Sequence, residues 1–99
     1  MARQAMTDEQ VSTQLAQLLG WQLRDGKLYR ELKFPGFHEA FGFMTALALH
    51  AQELDHHPDW HNVWNRVTIE LWTHDAGGLT ALDFELARRA SELYTRFTR

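Results

Sequence analysis

At 99 residues the chain is long enough for one apolar core and too short for two, so a single domain over residues 1–99 is expected. A hydrophobic content of 44% excludes a disordered chain, and a net charge of -3 leaves no basic footprint for nucleic acid or an anionic membrane surface. The absence of cysteine removes disulfides, thiolate metal sites and cysteine nucleophiles, and points to the cytoplasm.

Thr7-Asp8-Glu9-Gln10 has the form of a capping box, and Val11, Leu15, Leu18 and Leu19 follow at helical spacing, which predicts a first helix from Asp8 to Leu19. Gly20 ends it. Trp21 to Arg24 then alternates apolar and polar residues up to Asp25-Gly26, a dipeptide suited to the positive φ angles of a tight hairpin. Lys27 to Phe34 forms the returning strand, with Leu28, Arg30, Leu32 and Phe34 on one face and Tyr29, Glu31 and Lys33 on the other.

After Pro35-Gly36, a second helix is predicted from the stripe Phe37, Ala40, Phe41, Met44, Ala48 and Ala51. Phe43, Leu47 and Leu54 make a second apolar row beside it. The combined stripe is wider than one sheet covers, which either a second subunit or deep burial in the chain's own core would explain. The apolar run Phe41–Leu49 is about half the length a bilayer span needs, and the polar N-terminus lacks the hydrophobic core of a signal peptide. Neither a membrane segment nor a targeting segment is expected.

Pro58 disfavours helical backbone at His57, so the second helix should finish near Asp55 or His56. Trp60 to Trp64 reads as a third strand and Asn65-Arg66 as the turn. Val67, Ile69, Leu71 and Thr73 read as the inward face of a fourth strand, with Thr68, Glu70, Trp72 and His74 opposite. A second capping box, Thr80-Ala81-Leu82-Asp83, opens a last helix whose apolar face holds Leu79, Leu82, Leu86, Ala90, Leu93 and Phe97. The order α-β-β-α-β-β-α favours an α+β fold, a four-stranded antiparallel sheet with three helices on one face.

Six histidines in so short a chain call for an explanation. His56, His57 and His74 sit at a helix exit and a strand end, places that can converge on one pocket. Imidazole both donates and accepts protons near neutrality, as an elimination requires. A metal site on His56, His57 and His61 is the sharper rival, but adjacent residues in an extended segment point to opposite sides and no cysteine joins the set. His38 and His50 read as structural. Trp60, Trp64 and Trp72 could supply a flat wall for a heterocycle, although packing explains at least two of them. Asp83 is accounted for as the capping-box carboxylate and could also orient a histidine; Asp55 could hold a tautomer or solvate the helix end.

Taken together, Asp55-His56-His57-Pro58-Asp59-Trp60, Asn62-Val63-Trp64-Asn65-Arg66-Val67, Thr73-His74, Gly78-Leu79-Thr80 and Asp83 resemble the pterin-4a-carbinolamine dehydratase family. Phe37 to Met44 is similar to that family's central helix. The resemblance implies dehydration of 4a-hydroxytetrahydrobiopterin to the quinonoid dihydropterin, in tetrahydrobiopterin recycling, without metal or organic cofactor. It implies His56, His57 and His74 as catalytic residues and Asp55, Pro58, Trp60 and Asp83 as substrate-binding residues. A functional link to an aromatic amino acid hydroxylase and a homodimer or homotetramer follow as expectations. The resemblance implies a second class of function as well, since family members act as dimerisation cofactors of a transcription factor or assist carboxylase assembly. Gln52 departs from the family's common acidic residue at that position, one turn before His56.

Overall fold

The computed structural model describes residues 3–99. Its elements are α1 (Asp8–Ala16), β1 (Gln22–Arg24), β2 (Lys27–Lys33), α2 (Phe37–Leu54), β3 (Asp59–Val63), β4 (Arg66–Leu71) and α3 (Ala81–Thr98), with one 3-10 turn over His74–Ala76. The α-β-β-α-β-β-α order and the α+β class are as the sequence predicts. All strand pairs are antiparallel, in the spatial order β1-β2-β4-β3.

Local chemistry accounts for most of the boundaries. Both capping boxes form: Thr7 Oγ1 accepts the Gln10 N–H at 3.1 Å while Gln10 Oε1 accepts the Thr7 N–H at 2.9 Å, and Thr80 with Asp83 repeats the pattern at the start of α3. Asp25 and Gly26 both have positive φ, 53° and 78°, the conformation that lets a two-residue turn follow the twist of its strands.

The helix-facing side of the sheet alternates as a half-buried sheet must. Leu28 pairs with Leu71, and Leu32 with Val67; these side chains and Ile69 are buried with Phe43, Leu47, Phe84, Leu86 and Ala90 from α2 and α3. Val11 and Leu15 of α1 pack against the same core. No helix among the described residues is long and apolar enough to cross a membrane.

Three details differ from the sequence expectations, and a further one decides a point they left open. Helix α1 ends at Ala16 rather than Leu19, because bonds from Gln17 N–H to Gln14 O and from Leu18 N–H to Leu15 O tighten the last turn and bring Leu18 into the core, leaving Leu19 85% exposed. The second hairpin turns at Trp64-Asn65, one residue earlier than expected, since Val63 pairs with Arg66. Buried Asn65 holds that turn to the end of β2: its Nδ2 donates to Phe34 O at 3.0 Å and its own carbonyl accepts the Phe34 N–H at 2.8 Å.

On α2 the core row is Ala40, Phe43, Leu47 and Ala51, taken from both apolar stripes, whereas Phe37, Phe41 and Ala48 face outward. The two stripes lie side by side on the helix, so periodicity marks both as apolar without saying which residues meet the sheet. Finally, β4 stops at Leu71. Thr73 still points inward, 1% exposed, but His74 opens the 3-10 turn instead of closing a strand.

Candidate active site

Helix α2 ends in a tight reversal. The Asp55 N–H bonds Gln52 O at 3.1 Å and the His56 N–H bonds Ala51 O at 3.0 Å, with Asp55 itself in the left-handed region at φ 51°. The reversal is therefore made at Asp55, three residues before Pro58. It turns the imidazole of His56 back under the helix, where it is 6% exposed.

Beneath it lies the start of α3. Asp83 is fully buried, and its two oxygens have separate partners. Oδ2 accepts the Thr73 hydroxyl at 2.7 Å and the Thr80 N–H at 2.9 Å, while Oδ1 accepts Nε2–H of His56 at 2.5 Å. The Thr73 proton is committed to Asp83, so in the 2.8 Å contact between the two threonine hydroxyls Thr80 is the donor. Thr80 Oγ1 in turn accepts the Leu82 N–H at 3.2 Å. A buried carboxylate is costly unless its lone pairs are met. Here three donors meet them, and the N-terminal end of the α3 dipole adds favourable potential.

Above this cluster is a shallow hollow of about 230 Å³ lined by Arg3, Asp55, His56, His57, Trp72, Thr73, His74 and Asp75. The three histidines expected to act together therefore share one hollow. His57 is exposed, its Nε2–H donating to Gln52 Oε1 at 3.0 Å. His74 is exposed and meets the edge of Trp72, ring centroids 5.5 Å apart at 73°. With Nε2–H given to an acceptor in both His56 and His57, Nδ1 is the ring nitrogen each has left for a substrate in the neutral state.

Asp83 reaches the hollow only through His56, and Asp55 lines it directly. Trp60 is not among the lining residues: it pairs with Ile69 on the helix-facing side of β3 and packs against the core. Pro58 and Trp64 are not there either; Trp64 occupies the hairpin turn at φ 49°, 64% exposed. Trp72 is the tryptophan that borders the hollow. His61 pairs with Thr68 on the sheet's opposite face, apart from His56 and His57.

The threonine hydroxyls and Arg3 were not legible as site residues. Thr80 carried a capping signal that has a second use here, whereas nothing in the sequence ties Thr73 to Asp83 or Arg3 to Asp55, 52 positions away.

A buried His–Asp pair beside two exposed histidines, on a small antiparallel α+β scaffold, brings together groups able to take up and release protons. Comparison with known proteins gives the family. The profile of the Pterin 4 alpha carbinolamine dehydratase family matches residues 4–93, and the chain belongs to that family. A protein of Solibacter usitatus (strain Ellin6076), provisionally named as such a dehydratase, is 49% identical over 88 residues, covering 89% of this chain and 93% of its own. One of Burkholderia orbicola (strain MC0-3), named in the same way, is 53% identical over 85 residues, covering 84% and 83%. The crystal structure of a transcriptional coactivator/pterin dehydratase from Brucella melitensis superposes with a TM-score of 0.88 at 42% identity, covering 91% of this chain and 98% of that one. A pterin dehydratase-like RuBisCO assembly factor of the alpha-carboxysome, 23% identical with a TM-score of 0.62 over 75% of this chain and 86% of that one, shares the fold.

Proposed function

We propose that this protein, as one domain over residues 1–99, is a 4a-hydroxytetrahydrobiopterin dehydratase of the cytoplasm, eliminating water from the carbinolamine to give the quinonoid dihydropterin in tetrahydrobiopterin recycling. The observation that carries the reading is the His56–Asp83 pair, set in a hollow bordered by His57 and His74. In the reaction the C4a–O bond breaks, the N5–H proton leaves, and a C4a=N5 double bond forms; no electrons are gained or lost overall. His56, its Nε2–H held by Asp83, accepts the N5 proton at Nδ1, and the carboxylate stabilises the imidazolium that results, the logic of an oriented base. Among the described residues His74 has no carboxylate partner, and it delivers a proton to the departing hydroxyl. His57, fixed by Gln52, holds the substrate, with Asp55 at the rim and Trp72 as the flat apolar border.

The hollow is smaller than the roughly 300–1,000 Å³ of enclosed ligand pockets, so the substrate keeps one face uncovered within a single subunit. A companion aromatic amino acid hydroxylase would supply the carbinolamine. Self-association as a homodimer or homotetramer is supported by the outward row of α2, where Phe37 and Phe41 are 49% and 57% exposed, lie with tilted rings 5.6 Å apart, and line a hollow of about 610 Å³.

The test is to add purified protein to the 4a-hydroxypterin generated by an aromatic amino acid hydroxylase and follow loss of its absorbance. Acceleration is expected, with His56→Ala and His74→Ala each depressing the rate about a hundredfold or more, from the lower end of the range for general acid–base groups upward. No acceleration over the spontaneous dehydration would overturn the reading. A binding or assembly role on the same fold is the second reading, since the related Brucella protein is described as a transcriptional coactivator as well as a dehydratase. The outward α2 row, untouched by the chemistry above, is the surface that favours it.

A further inference from the structure

The segment preceding α1 does more than lead into a helix. The Met6 N–H donates to Leu79 O at 2.8 Å, Met6 packs against the core, and a Cβ on Gly78 would lie 3.6 Å from that of Ala5. The chain is thus laid across the loop that follows His74, and it delivers Arg3 to the edge of the histidine hollow. There Nη2 of Arg3 donates to Asp55 O at 2.6 Å and lies 3.6 Å from Asp55 Oδ2. The acceptor is the carbonyl just beyond the C-terminus of α2, where the helix dipole favours a cation.

Two features make this more than a surface ion pair. Arg3 is the one lysine or arginine lining the hollow, beside two aspartates, three histidines, a tryptophan and a threonine. A guanidinium also carries five N–H donors in a rigid fork, and among the described residues only Nη2 is bonded. With its side chain 43% exposed, the pair with Asp55 adds little to stability. What it does is hold a forked cation at a fixed place beside the hollow.

We infer that Arg3 is a substrate-binding residue, its free donors gripping the C4 carbonyl oxygen of the pterin. The inference rests on the dehydratase reading. That carbonyl is an exposed acceptor, and its carbon adjoins C4a, from which the hydroxyl departs. A grip there fixes the ring so that C4a and N5 fall between the histidines. Loss of the hydroxyl builds positive character at C4a and N5, which a neighbouring cation does not stabilise. Arg3 therefore contributes binding shared by ground and transition states, and its loss appears in KM rather than kcat.

Arg3→Ala should raise KM about tenfold or more, the equivalent of one charge-assisted hydrogen bond, while kcat stays within about twofold. Arg3→Lys keeps the charge without the fork and should fall between. Equilibrium dialysis with 7,8-dihydrobiopterin, a stable pterin with the same carbonyl, should weaken in parallel. An active wild type whose KM and dialysis constant are unmoved in Arg3→Ala, with only the melting temperature lowered, would make Arg3 a helix-end cap and overturn the inference. A wild type without turnover sinks the dehydratase reading by itself. The dialysis arm then still decides the fate of Arg3: binding that is absent, or equal in wild type and Arg3→Ala, removes it from any pterin site.

Discussion

Thr73 tests the buried cluster most directly. Thr73 is 1% exposed, and its hydroxyl donates to Asp83 Oδ2 at 2.7 Å and accepts from Thr80. Thr73→Val keeps the β-branched shape that suits its extended backbone and opens no cavity. It leaves Oδ2 with the Thr80 N–H alone and the Thr80 hydroxyl without its acceptor. A hydrogen bond to a charged group contributes roughly 1.5–3 kcal/mol, so the variant should lose about 2 kcal/mol of stability, or roughly 8–16 °C in melting temperature for a chain of this size. Melting is compared at one protein concentration, because any assembly would shift it. The carboxylate, less constrained, orients His56 less well, and kcat in the hydroxylase-coupled assay should fall about tenfold with KM nearly unchanged. Thr73→Ser restores the hydroxyl and should recover most of both losses. A Thr73→Val protein that melts within about 2 °C of wild type and turns over at the wild-type rate would refute the reasoning.

Three further outcomes follow from other parts of the molecule. Asp55 adopts φ 51° at the end of α2, a conformation glycine takes without penalty, so Asp55→Gly should stabilise the fold by about 0.5–1 kcal/mol in urea titrations while the carbonyl bonded by Arg3 is retained. Phe41→Glu places a charge in the exposed aromatic row of α2; wild type should exceed monomer mass by light scattering, and the variant should shift toward monomer with its far-UV spectrum unchanged. Glu85 is held below its ordinary carboxylate range, first by its hydrogen bond to Arg89 and then by that to Arg88. A folded pKa below the unfolded one adds stability that is present above the unfolded value, near 4.5, and is lost as pH falls through the folded value. Glu85→Gln should hence be less stable than wild type at pH 7, by well under about 1 kcal/mol for so exposed a group, and indistinguishable from it in strong acid or high salt.

What could be read from the sequence follows the range of the interactions involved. The capping boxes at Thr7 and Thr80, the Asp25-Gly26 turn and the alternation of β2 are encoded within a few residues, and they stand as expected. The Trp64-Asn65 turn was misplaced by one residue because a tryptophan at positive φ carries no turn signal, and the bond that fixes it, Asn65 to Phe34, spans 31 positions. Which residues of α2 meet the sheet was open for a different reason: two adjacent apolar stripes on one helix are equivalent until packing selects a row, here Ala40 and Ala51 from one with Phe43 and Leu47 from the other. In the site, His56, His57 and His74 were marked by residue type and by the resemblance. The contacts that set their geometry were not: Thr73 and Gln52 were noted for other reasons and Arg3 not at all, and their bonds exist only once the α2 end, the 3-10 turn and the α3 start have met.

The two capping boxes offer a comparison inside one chain. At α1 the reciprocal side chain is Gln10, neutral and exposed, and it suffices to cap the helix. At α3 the same position holds Asp83, charged and fully buried, a choice that capping alone does not require and that desolvation makes costly. The added expense is met by recruiting Thr73 from the far side of the 3-10 turn and by turning His56 inward through a left-handed aspartate. A purely structural solution would have been an apolar residue under His56, or a second glutamine at the surface. That the fold instead surrounds one imidazole with an ionisable partner, while leaving two others exposed beside it, is the physical ground for reading His56 as a working base rather than a packed core residue.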